Sequence, residues 1–131
     1  MSITRILIVA DARDTVDELR DFFELNGYET EVALSIKVAS TILEERRMDL
    51  AIIGFMVKDT PGIEILKKLK TINPFIPVIL IHGNNSKRLK ALTMKAGAQG
   101  YIPKPIDRNS FLRTVKKILT YHSNKVGKNY L

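Results

Sequence analysis

The chain has no cysteine, which excludes disulfides and thiol chemistry. That is compatible with a reducing compartment, and a cytoplasmic location is the expectation. No apolar run approaches the roughly 20 residues that a membrane helix needs, so no membrane contact is expected. Met1–Ala10 has a short apolar stretch but no small-residue cleavage site and no long h-region, so it does not read as a signal peptide. Low-complexity segments are absent as well. Acid is nearly missing from the second half. Residues 66–131 carry 14 Lys and Arg against one acid, Asp107, a net of +13, whereas residues 1–65 carry 7 against 13, a net of −6. The total is +7. Such asymmetry speaks to partners and association, not to fold.

What is present is a length of 131 residues, which suits one domain with a real core, at 45% hydrophobic and 27% charged. Apolar runs alternate with helix-period segments. Ile3–Val9 is a β-branched run of strand length. Asp14–Leu25 places Val16, Leu19, Phe22 and Phe23 on one stripe and most of its acids elsewhere, which predicts an amphipathic helix ended by Asn26-Gly27. Tyr28–Leu34 reads as a strand, and Ser35 can cap a helix with Ile36, Ala39, Ile42 and Leu43 inward. Leu50–Ile53 is continuously apolar, as a strand buried on both faces should be. Lys58–Gly62 reads as a loop, Ile63–Ile72 as a helix broken by Asn73-Pro74, and Ile76–Ile81 as a strand. A capped loop through Ser86 leads to a helix over Lys87–Ala96, a short strand over Gln99–Ile102 and a last helix over Asp107–His122.

Strand and helix thus alternate five times, which implies a parallel sheet covered by helices on both faces. One stand-alone domain is expected over residues 1–122, with a loose polar tail over 123–131. Ligand sites in such folds lie at the carboxyl ends of the strands.

Specific residues carry a resemblance. They are Ile6–Asp11 (ILIVAD), Gly27-Tyr28, the spacing from Asp49 to Gly62, Pro77–Ile81 and, above all, Gly97–Pro105 (GAQGYIPKP). Over residues 3 to 121 the chain resembles the receiver domains of bacterial response regulators. That implies a three-layer, doubly wound (βα)5 flavodoxin-like fold with strand order 2-1-3-4-5. It also implies a set of site positions. The family's paired Mg²⁺-binding acids fall on Ala10 and Asp11, so one acid survives. Its phospho-accepting aspartate falls on Gly54. Its Met-Pro pair falls on Val57 and Lys58, preceded by Met56, and its later glycine is Gly62. Its hydroxyl residue after the fourth strand is His82, its phosphoryl-contacting lysine is Lys104, followed by Pro105, and its aromatic switch residue is Tyr101.

Phosphoryl transfer needs a nucleophile, and Gly54 has no side chain. Mg²⁺ wants several oxygen ligands, and Asp11 with the Met56 carbonyl is a poor set. No cofactor and no enzymatic activity are therefore expected, with Mg²⁺ binding weak or absent. Lys104 is expected to pair with Asp11 across the vacated site. In simpler structural terms, Gly54 eases a tight exit from its strand, His82 fills space as a hydrogen-bonded side chain, and Tyr101 is a surface aromatic. The basic residues Lys87, Arg88, Lys90, Arg113 and Lys116, with Tyr101, are the expected partner face, formed by the fourth helix, fifth strand and fifth helix. The expected reading is a pseudo-receiver in two-component-type signalling. It would bind another signalling protein, or the acidic first helix of a second copy, without phosphorylation. Two alternatives remain. One is a nucleic-acid-binding accessory protein using the basic half, though no RNA-binding aromatic motif or DNA-reading helix pair is present. The other is a phosphorelay receiver using an unusual acceptor such as His82 or Asp59.

Overall fold

A computed structural model describes the backbone of residues 3–83 and 86–130, and the side chains of these as far as His122. In chain order the elements are β1 (Arg5–Val9), α1 (Arg13–Leu25), β2 (Glu29–Ala33), α2 (Ile36–Glu45), β3 (Leu50–Ile53), β4 (Met56–Val57), β5 (Thr60–Pro61), α3 (Gly62–Ile72), β6 (Val78–His82), α4 (Lys87–Lys95), β7 (Gly100–Pro103) and α5 (Arg108–Tyr130). Five strands form one parallel sheet in the order β2-β1-β3-β6-β7. Numbering only these five gives the expected order 2-1-3-4-5.

Side chains alternate along each strand, so the sheet feeds two cores. Leu7, Val9, Ala51, Ile53, Val78, Leu80 and Tyr101 face α2, α3 and α4. Ile6, Ile8, Leu50, Ile52, Ile79 and Ile81 face α1 and α5. This explains why β3 is apolar at every position and β6 at every position but its last, His82: neither face meets water. On the α1/α5 side the aromatics interlock. Phe111 lies 5.1 Å from Phe22 in a stacked pair and 5.7 Å from Phe23 edge-on.

The expected serine caps form. Ser35 Oγ accepts from Val38 N at 3.2 Å, and Ser86 Oγ accepts from Leu89 N at 3.2 Å. Gly27 closes α1 with φ of +86°, a left-handed position that favours glycine.

Two expectations need correction. Residues 58–62 are not a plain loop. Met56–Val57 and Thr60–Pro61 pair as a small antiparallel hairpin around Lys58-Asp59. Both turn residues are left-handed, with φ of 46° and 64°, which matches the twist of a two-residue hairpin but strains a lysine. The backbone also stays helical beyond His122, with α5 reaching Tyr130, where a loose tail was expected. Helix propagation is easier than nucleation, and residues 123–130 contain no proline to stop it.

Phe111→Ala removes the ring that joins α5 to α1. We expect a loss of about 3–5 kcal/mol in unfolding free energy, measured by urea denaturation. A loss under about 1 kcal/mol would contradict this packing.

Candidate functional site

The carboxyl ends of the strands gather the candidate residues. Ala10 and Asp11 follow β1, Gly54 follows β3, His82 ends β6 and Lys104 follows β7. The loops converge because parallel strands all exit on the same edge of the sheet. The β3 exit is held by Gly54 N–H, which donates to Val9 O at 2.9 Å.

Gly54 is not explained by backbone need. Its φ lies outside the left-handed region. A Cβ placed there would meet Ala10 Cβ at 3.7 Å, Val9 O at 3.7 Å and Val57 Cγ2 at 3.8 Å, all ordinary contacts. The suggestion that glycine eases a tight exit is therefore wrong: the backbone there would take a Cβ without collision. Gly62 is the opposite case. A Cβ there would collide with the Gly54 carbonyl and sit 2.6 Å from Leu80 Cδ1. Gly62 N–H donates to Phe55 O at 2.7 Å, so the start of α3 presses against the chain leaving β3.

Asp11 and Lys104 do not pair. Asp11 Oδ2 accepts the Lys58 backbone N–H at 2.7 Å, tying down the strained hairpin turn. Lys104 Nζ instead donates to Thr15 Oγ1 on α1 at 3.3 Å. No ion pair joins the two within 4.0 Å. A charge-assisted bond to a fixed backbone donor competes well against an exposed, flexible ammonium. The contact of the Lys58 amide with Asp11 was not foreseen, nor was Thr15 as a member of the site. Lys58-Asp59 lacks the glycine that would have signalled a hairpin, and Thr15 is separated from Lys104 by most of the chain.

His82 and Tyr101 form a buried pair. Leu80 faces Tyr101 and His82 faces Pro103 across β6 and β7, so the two rings are diagonal neighbours on the α4 side. Their centroids lie 3.6 Å apart with 14° between planes. His82 is 1% exposed and Tyr101 9%. Among the described residues, neither Nδ1 of His82 nor the hydroxyl of Tyr101 has a hydrogen-bond partner, and the same holds for Thr93 Oγ1 on α4. His82 fills space as expected, but this nitrogen is not hydrogen-bonded. Tyr101 is neither a surface aromatic nor part of an exposed partner face. Burial first, then the charge of Lys90, push the His82 pKa below its ordinary 6.5. Burial raises that of Tyr101. His82 is thus neutral near pH 7.

The expected partner face is otherwise accessible. Lys87, Arg88 and Lys90 on α4 and Arg113 and Lys116 on α5 are all exposed. Leu92 and Met94, also on α4, are exposed among these cations.

Residues 6–116 match the response regulator receiver domain family. Among similar proteins, response regulator MprA of Mycolicibacterium vanbaalenii is 27% identical over 115 residues, covering 88% of this chain and 50% of that protein. Response regulator SaeR of Staphylococcus epidermidis is 29% identical over 128 residues, covering 94% and 56%. The chain spans about half the length of these curated relatives. A CheY-like receiver domain protein from Methanospirillum hungatei superposes with a TM-score of 0.88 at 29% identity, covering 95% of this chain and 99% of that one. No helix among the described residues is long and apolar enough to cross a membrane.

The buried imidazole sets a pH dependence. In the unfolded chain His82 takes a proton near 6.5, while the folded site resists it. Stability is therefore full above pH 6.5 and falls as pH drops below it, by up to about 1.4 kcal/mol per pH unit. Urea unfolding at pH 7.5 and 5.5 should show a steeper loss in the wild type than in His82→Gln. Equal losses in both proteins would refute a neutral, buried His82.

Proposed function

The chain belongs to the response regulator receiver domain family, and on that premise we propose that it is a degenerate receiver, a protein-interaction module that works without aspartyl phosphate. The observation that carries this reading is Gly54. It stands where the resemblance places the acceptor carboxylate, and a Cβ there would meet only ordinary van der Waals contacts. The missing carboxylate is then a chemical departure, not a concession to folding.

The neighbouring groups support the same reading. With Ala10 beside it, Asp11 is the one carboxylate of the expected Mg²⁺ set, and one of its oxygens already holds the Lys58 amide. One carboxylate and the Met56 carbonyl fit Mg²⁺ poorly, because octahedral coordination usually draws on more oxygen ligands and a phosphate. No phosphoryl step is therefore assigned to this pocket. His82 is a weak alternative acceptor, since its ring is buried under Tyr101.

The partner would meet α4 and α5. Exposed cations interleaved with Leu92 and Met94 suit a protein surface carrying acids and apolar groups, whereas nucleic acid would use the cations alone. The acidic α1 of a second copy offers one such surface through Asp14, Asp17, Glu18, Asp21 and Glu24.

Incubation with acetyl phosphate and Mg²⁺ followed by intact-mass measurement tests the central reading. No phosphoryl adduct is expected. An adduct lost on His82→Gln or Asp59→Asn would instead establish an active receiver with an unusual acceptor. Sedimentation at low salt tests the self-association arm. Any association should weaken on adding salt and with Lys90→Glu plus Arg113→Glu, and a sedimentation profile unchanged by both would remove it.

A further inference from the structure

At the edge of the sheet opposite Asp11 and Gly54, the segments entering β6 and β7 meet α5 around a cavity of about 530 Å³. That is within the usual size of small-molecule sites. Phe75 and Pro77 line one side. Lys117, Ile118 and Tyr121, spaced by a helical turn on α5, line the other. Phe75 is 69% exposed, so its ring is open to the cavity.

The charges lining this cavity all have one sign. Lys70 and Lys117 belong to it, and no Asp or Glu does among the described residues. Lys70 is half-buried on α3, and its ammonium donates to Ile76 O and, at 3.4 Å, to Gln99 Oε1. It has no carboxylate within 4.0 Å among the described residues. Burial alone lowers its pKa from 10.5. An ammonium partly stripped of water and lacking a counter-charge is costly, and a bound anion would offset that cost.

We propose that this cavity binds a small aromatic anion, with Lys70 and Lys117 holding its negative group and Phe75 and Tyr121 flanking its ring. The cations supply charge-assisted hydrogen bonds, and the rings supply apolar and stacking surface. The site does not involve the strand ends at Asp11 and Gly54. It stands whether or not the protein accepts phosphate.

The test is an amide NMR titration of the full chain with 1-naphthyl phosphate, alongside 1-naphthol and inorganic phosphate. Saturable shifts are expected at Phe75–Val78, Gln99–Gly100 and residues 114–122, without shifts at Asp11 or Lys104. The naphthyl phosphate should bind more tightly than either control. Lys117→Gln, an exposed change that leaves the fold intact, should weaken binding roughly fivefold or more. Lys70→Gln should weaken it further. The proposal fails if no saturable shift occurs there, if inorganic phosphate or naphthol alone binds equally well, or if Lys117→Gln has no effect.

Discussion

Burial of one parallel sheet on both faces is the constraint on which the rest of this molecule depends. Because β1, β3 and β6 meet helices above and below, nearly every residue in them is apolar and their register is fixed. A slip of one residue would exchange the two cores. The fixed register brings Asp11, Gly54, His82 and Lys104 to one edge, and Pro77 and Gln99 to the other. The two edges therefore carry different chemistry.

At the carboxyl edge the frame of a receiver carries Asp11 beside Ala10 and Gly54. Gly62 must remain glycine because α3 starts against the Gly54 carbonyl. Gly54 has no such obligation. The remaining charged groups have separate local partners: Asp11 holds the hairpin turn, and Lys104 reaches Thr15. Beneath α4, three buried polar atoms on His82, Thr93 and Tyr101 have no hydrogen-bond partner. Ser40 Oγ on α2 is buried and unpartnered in the same way, so such groups lie under both helices, each costing about 1–3 kcal/mol.

The architecture was legible in the sequence because it is written in periodicity. The uninterrupted apolar runs at Leu50–Ile53 and Val78–Ile81, the stripe Val16, Leu19 and Phe23, and the serines at 35 and 86 each follow from local rules. The site was legible only as positions. Which atom Lys104 bonds depends on rotamers and on Thr15, and neither shows as a pattern. The hairpin escaped because its strands are two residues long and its turn has no glycine. Tyr101 reads as amphipathic in isolation, and only its pairing beside Leu80 puts it against His82. The cavity beside Lys70 draws on α3, on the segments entering β6 and β7, and on α5, so no single stretch of sequence announces it.

The most direct measurement compares wild type with an Ala10→Asp/Gly54→Asp double variant by amide NMR, adding Mg²⁺ and then beryllofluoride, a mimic of the phosphoryl group. The missing carboxylates are held to be the whole cause of a silent site. The wild type should therefore show no saturable shifts around Asp11, Gly54–Met56, His82 and Lys104, and the double variant should show them. Saturable shifts in the wild type, spreading to Tyr101 and α4, would contradict the account and mean that a working phosphoryl switch survives without a carboxylate at position 54.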